Sequence, residues 1–177
     1  MQPEAIASLA HAGRKQLLYV PRGEHAVDLG RAAVERLIPH RDPMLLVDGI
    51  DAVDLAGLCI AGRRRLAPGD PVFSGHFPGN PVYPGVLQVE AVGQLALCLF
   101  ALSRAEPAGS EPAAPREVRA LKIHHAAFFA PVHPGAELTL YAKVLDGGDY
   151  TAISAGQVVC SGTICSYAIL EVYFVDG

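Results

Sequence analysis

The sequence predicts an α+β protein in which one antiparallel sheet wraps around a single long buried helix. Three observations predict it. Residues 86–102, VLQVEAVGQLALCLFAL, are apolar on nearly every side, the pattern of a helix enclosed by other structure. The last third of the chain alternates β-forming runs with Gly- and Pro-marked turns, the pattern of an antiparallel meander. Apolar runs separated by turn residues also precede the helix.

Residues 1–32 carry weak helical patterning at Ile6, Leu9, Leu17 and Leu18, which Pro21, Gly23 and Gly30 interrupt. They are expected to form an extension with one helix, leaving 33–177 as the domain. Residues 33–38, AVERLI, read as a short helix that Pro39 stops. Met44 opens an apolar strand that runs on to Val53, and Gly57 turns the chain into a second strand, Leu58 to Leu66. Pro68-Gly69-Asp70 is a turn. Residues 75–85, GHFPGNPVYPG, form a stiff irregular loop, and Pro84 suits the first turn of the following helix, where its missing N–H costs nothing. That helix runs to about Ser103. Residues 105–116, AEPAGSEPAAPR, read as a low-complexity surface loop. Strands follow at 118–130, 137–145, 150–160 and 163–175, with Asp146-Gly147-Gly148-Asp149 and Ser161-Gly162 as hairpin turns.

Composition removes several classes of function. With 177 residues, 51% of them hydrophobic and 18% charged, the chain can bury a sizeable core and is not disordered over most of its length. A net charge of −4 argues against a general nucleic-acid binder, which needs a basic surface. Segment 86–102 carries Gln88, Glu90 and Gln94 and is shorter than the roughly 20 predominantly apolar residues of a membrane span, so a core helix is expected. Cysteines 59, 98, 160 and 165 form no CxxC pair, and the first residues carry no secretory pattern. Reduced thiols in a cytoplasmic protein are expected. His124, His125 and His133 invite a metal reading, but neighbours on a strand point to opposite faces, so no metal site is expected.

The residues that can carry chemistry lie around the central loop. His76 sits in the Gly/Pro segment, and a neutral imidazole there can act as a base. Glu90 lies two turns into the apolar helix, where burial raises a carboxyl pKa and makes it an acid near neutral pH. Gln94, four residues on, shares its face. Unpaired N–H groups at the helix start, around Gly85 and Val86, can polarise a carbonyl oxygen, and Gly85 has no side chain to block the approach. A base, an acid and an oxyanion site suit abstraction of the α-proton beside a thioester, with a β-leaving group protonated on departure. Against this stands the plainer alternative of a solvent-facing His76 and a Glu90 paired to a cation such as Arg41.

Three segments resemble the hotdog-fold 3-hydroxyacyl-[acyl-carrier-protein] dehydratases of type II fatty-acid synthesis. LIPHRDPMLLVDGI (37–50) is similar to the family's LLPHRxPFLLVD opening. FSGHFPGNPVYPGVLQVEAVGQ (73–94) follows its FxGHFPGxPxxPGVLxxEAxxQ pattern, and residues 128–138 follow its FxxPVxPGxxL stretch. The resemblance implies a single hotdog domain and dehydration of a 3-hydroxyacyl thioester to the trans-2-enoyl thioester. It implies His76 and Glu90 as the catalytic pair, Gly85 as the donor to the thioester carbonyl, and Gln94 as the residue that orients the carboxyl group. Phe77 and Tyr83 become candidates for the acyl tunnel. No metal or redox cofactor is implied, the substrate being carried on phosphopantetheine. The implied partners are an acyl carrier protein and a second copy of the chain, since the family places the histidine and the acid of one site on different subunits, in many members within a trimer of dimers.

The chain also departs from the family pattern. Asp42 and Met44 replace aromatic residues, and 127–130 read Ala-Phe-Phe-Ala without the usual basic flanks. Arg63, Arg64, Arg65, Arg116, Arg119 and Lys122 are the candidates for a substitute carrier-docking patch. The extension and the proline-rich loop suggest a specialised member serving a polyketide or other secondary pathway. Two other readings stay open: a non-catalytic acyl-carrier-binding subunit of the same fold, and a hotdog thioesterase.

Overall fold

The computed structural model describes residues 2–22, 26–104 and 114–175. Its helices are α1 (Pro3–Lys15), α2 (Arg31–Leu37), α3 (Val72–Gly75) and α4 (Gly85–Ser103). Its strands are β1 (Ala26–Gly30), β2 (Gly49–Asp54), β3 (Cys59–Arg65), β4 (Val118–Phe128), β5 (Glu137–Gly147), β6 (Thr151–Cys160) and β7 (Thr163–Phe174). Together the strands form one sheet in the order β1-β2-β3-β5-β6-β7-β4, with every pairing antiparallel.

Helix α4 lies in the concavity of this sheet, against β3, β5, β6 and β7. Its Val92, Leu95, Cys98 and Leu99 are buried in the main core with Ile60, Leu140 and Val158. Glycines on two strands let it seat closely. A Cβ at Gly156 would stand 2.5 Å from Val92 Cγ1 and 2.3 Å from the Tyr141 carbonyl oxygen, and one at Gly62 would stand 2.8 Å from Leu95 Cδ1. Among the described residues α4 is the one helix long and apolar enough to cross a membrane, but the sheet supplies its apolar surroundings here. The helix begins at Gly85, with Pro84 as its N-cap rather than inside its first turn.

The opposite face of the sheet is covered by α1, which packs on β7 and β4. A second apolar cluster joins Tyr19, Cys59, Ile153, Ala155, Tyr167 and Ile169. Gln157, fully buried on β6, fastens the segment. Its Nε2 donates to Gly13 O (2.7 Å) and Gln16 O (2.9 Å), and its Oε1 accepts the Leu18 N–H (2.8 Å). This double covering is why β6 is buried on both faces, whereas β5 alternates. The expected extension 1–32 thus holds a docked helix and also the edge strand β1, which pairs with β2.

One expected strand differs. The apolar run from Met44 predicts a strand continuing to Val53, yet the ladder begins only at Gly49. Residues 44–46 take a side chain as their partner instead: Gln94 Nε2 donates to Met44 O (2.7 Å) and Gln94 Oε1 accepts the Leu46 N–H (2.8 Å). An amide side chain reproduces here what a neighbouring strand would offer. The expected loop at 105–116 lies, over 105–113, outside the described residues.

Candidate active site

His76 caps the C-terminus of α3. Its Nδ1 lies 2.7 Å from Val82 O, while the Val82 N–H donates to His76 O at 2.8 Å. A carbonyl oxygen only accepts, so Nδ1 carries the proton. Nε2 is therefore the nitrogen left with a free lone pair. Phe77 stacks on the imidazole with ring centroids 4.0 Å apart and is 54% exposed. Tyr83 is buried beside Phe73, its backbone N–H donating to Val132 O at 2.7 Å. Burial pushes its phenol pKa up.

Gly85 opens α4, so its N–H has no carbonyl one turn earlier in the helix. A Cβ at Gly85 would come within 2.6 Å of the Phe128 ring, so the missing side chain makes room for Phe128. His76, Gly85, Gln88 and Phe128 line a groove of about 530 Å³.

Glu90 faces elsewhere. It lines a second cavity, of about 190 Å³, with His40, Gln94, Lys122 and Glu171. Its Oε1 receives Gln94 Nε2 at 2.8 Å and stands 3.3 Å from His40 Nε2. The expectation of a raised carboxyl pKa is corrected in the single protomer. The hydrogen bond from His40 holds the carboxyl below its ordinary value, outweighing the upward push of burial, and the Gln94 bond adds to the lowering. Arg41 is not the partner, since its Nη1 donates to Ile38 O (2.9 Å) and His40 O (2.7 Å). The His40 contact is absent from the sequence-based expectations. Its one signal in the sequence is the place of His40 in the opening motif, which by itself suggests no more than a structural role.

The structure thus brings His76, Gly85 and Tyr83 to one groove and Glu90 with Gln94 to another, and Val86 lines both. Phe77 is at the surface beside His76. Strand β4 ends the sheet next to these openings. It presents Leu121 and Ile123, each more than half exposed, near exposed Phe128 and Val86.

The expected arginine patch is largely neutralised. Arg63 pairs with Asp28 and Asp51, Arg64 is mostly buried against Asp48 at 2.9 Å, Arg65 faces Glu137, and Arg119 pairs with Glu117. Arg116 lies over the Phe174 ring. His124 is buried against Glu171 at 2.7 Å. Among the described residues no cluster of three or more His, Cys, Asp or Glu is placed to hold a metal.

A family model described as a FabA-like domain matches residues 38–168. The 3-hydroxyacyl-[acyl-carrier-protein] dehydratase FabZ of a Nitratiruptor species is 32% identical over 143 residues, covering 81% of this chain and 95% of that protein. The protein of the same name from an Anaeromyxobacter species is 39% identical over 133 residues, covering 72% of this chain and 82% of its own. Among solved structures, the dehydratase heterocomplex ApeI:P from Xenorhabdus doucetiae aligns with a TM-score of 0.65 at 19% identity, over 80% of this chain and 90% of that one. At that identity it shows the fold alone.

Proposed function

The chain belongs to the FabA-like family, and from that membership we propose that it is a dehydratase of 3-hydroxyacyl thioesters carried on an acyl carrier protein. One observation carries the reading: the Val82 carbonyl fixes the proton on His76 Nδ1 and leaves Nε2 as a base, in the groove that also holds the free N–H of Gly85. His76 Nε2 takes a proton from C2, and the electron pair of that C–H bond forms the C2=C3 double bond. The C3–O bond breaks, Glu90 delivers a proton to the departing hydroxyl, and water leaves. The Gly85 N–H steadies the negative charge that grows on the thioester oxygen, and Gln94 orients the Glu90 carboxyl.

His76 and Glu90 line different cavities of one protomer, which supports a site completed by a second copy. Pairing along the unpartnered edge of β4 covers Leu121 and Ile123 and brings Glu90 of one subunit to His76 of the partner subunit. It also removes water from Glu90, whose side chain is 38% exposed in the protomer, and so favours the protonated form that the mechanism needs. The core position of α4 supports a soluble enzyme.

The test is intact mass spectrometry of a 3-hydroxyacyl carrier protein. Wild type should remove one water, and Glu90→Gln and His76→Ala should each lower the rate by at least about a hundredfold. Unchanged rates in both variants would remove the assigned pair.

A further inference from the structure

Among the described residues three glutamines are buried: Gln88, Gln94 and Gln157. Two are fully used, Gln94 by Met44, Leu46 and Glu90, and Gln157 by Gly13, Gln16 and Leu18. Gln88 is the exception. It is 3% exposed, yet its Oε1 has no hydrogen-bond partner among the described residues. Buried polar groups are nearly always paired, because an unpaired one gives up its hydrogen bonds to water with nothing in return.

Gln88 lines the groove that holds His76 and Gly85, whose other walls are mainly apolar or aromatic: Val82, Val86, Phe128 and Phe129. The Tyr83 hydroxyl on the same wall also lacks a hydrogen bond, but it faces the Arg64 guanidinium. Gln88 follows Gly85 by three residues, so both project from one side of α4. It lies about 4.5 Å further along the helix axis, on the side leading into the core. Val86, beside Gly85 at the mouth, is 72% exposed. A thioester carbonyl held at Gly85 therefore places its acyl chain, rather than the pantetheine arm, toward Gln88.

We propose that Gln88 Oε1 accepts a hydrogen bond from an O–H group on the acyl chain a few bonds beyond the thioester, so that the site selects hydroxylated acyl chains over plain hydrocarbon ones. The inference rests on the dehydratase reading of the same groove. A site built around a hydrogen bond discriminates strongly, because the analogue lacking the donor leaves a buried acceptor unpaired.

The test is calorimetric binding of two unreactive pantetheine amides, hexanoyl and 5-hydroxyhexanoyl, to the full-length protein. Wild type should bind the hydroxylated compound at least tenfold more tightly. Gln88→Leu and Gln88→Met should each lose or invert that preference. Equal binding of the two amides by wild type overturns the inference, whether or not the variants fold. So does a preference that survives in either variant, or a Gln88→Met variant that is altered only in melting temperature. Water loss from 3,5-dihydroxyhexanoyl carrier protein, which carries the favoured hydroxyl, is measured alongside and separates the two readings. Turnover without a hydroxyl preference removes only the role of Gln88, whereas a preference without turnover supports the Gln88 contact and removes the dehydratase assignment.

Discussion

His40 Nε2 and Glu90 Oε1 lie 3.3 Å apart, and Gln94 Nε2 reaches that same oxygen at 2.8 Å. Two donors thus converge on one carboxylate oxygen, and they hold Glu90 ionised in the protomer although the helix around it is apolar. The charge of Glu90 is therefore set by its partners as much as by its burial. His40 itself has a buried Nδ1 without a hydrogen bond among the described residues, so its ring is held chiefly through the Glu90 side.

Removing His40 should release Glu90 upward. In His40→Ala the largest cause of the depression is gone and desolvation remains, so the carboxyl should titrate at higher pH than in wild type. Carbon NMR of the Glu90 carboxyl measures this directly. A midpoint that stays put or falls would show that His40 does not control the charge.

The same depression gives stability a pH signature. A carboxyl whose folded pKa lies below its ordinary value of 4.5 contributes stability that is fully present above that pH. The contribution is lost as pH falls through the folded value. The stability advantage of wild type over Glu90→Gln should therefore be constant near neutrality and shrink on acidification below the ordinary value. Melting curves of both proteins from neutral to acidic pH measure this, and an advantage that grows instead would overturn the reading.

The attachment of α1 rests on Gln157. Gln157→Leu leaves Gly13 O, Gln16 O and the Leu18 N–H without their partner, at a cost of about 1–3 kcal/mol. Hydrogen exchange should accelerate in residues 3–19 and stay slow in α4. Uniform acceleration across the chain would mean that α1 and the main core open together.

At Gly156 the sheet approaches α4 closely. The Cβ of Gly156→Ala meets a backbone oxygen and Val92, neither of which can swing aside. Denaturant unfolding should show a loss of about 1–3 kcal/mol, the usual cost of overpacking. At Gly85 the clash is with Phe128, a half-exposed ring that can rotate, so Gly85→Ala should cost less stability while narrowing the His76 groove.

Cysteine chemistry should separate sharply. Cys98 is fully buried in α4, and burial pushes its thiol pKa up to about 12. The thiolate is the reactive form, so Cys98 should resist iodoacetamide until the protein unfolds. Cys160 is partly exposed and should react first in the native state. Peptide mapping after timed alkylation would show the order.

Several elements are legible in the residues because their signals are local. The apolar run of α4, the Gly-marked hairpins and the alternation of β5 each reflect neighbours a few positions apart. The segment after Met44 misleads, because an apolar run looks the same whether a strand or the amide of Gln94 satisfies its backbone. Arg64 misleads likewise: three consecutive arginines suggest a basic surface, and only the fold turns Arg64 inward against Asp48. In the sequence Gln88 argues against a membrane span and nothing more, because an unpaired acceptor is visible only once its surroundings are known.

Periodicity, turn chemistry and motif spacing are properties of the chain. They set the order of most helices and strands and the enclosure of one helix by a sheet, and they point to candidates for base, acid and oxyanion donor. Which groups face one another was decided by the folded arrangement: His40 with Glu90, Gln157 with the end of α1, and His76 with Gly85 in a groove apart from Glu90. The reason is that charge state and hydrogen bonding depend on distances of a few ångströms and on exclusion of water, and spacing along the chain specifies neither.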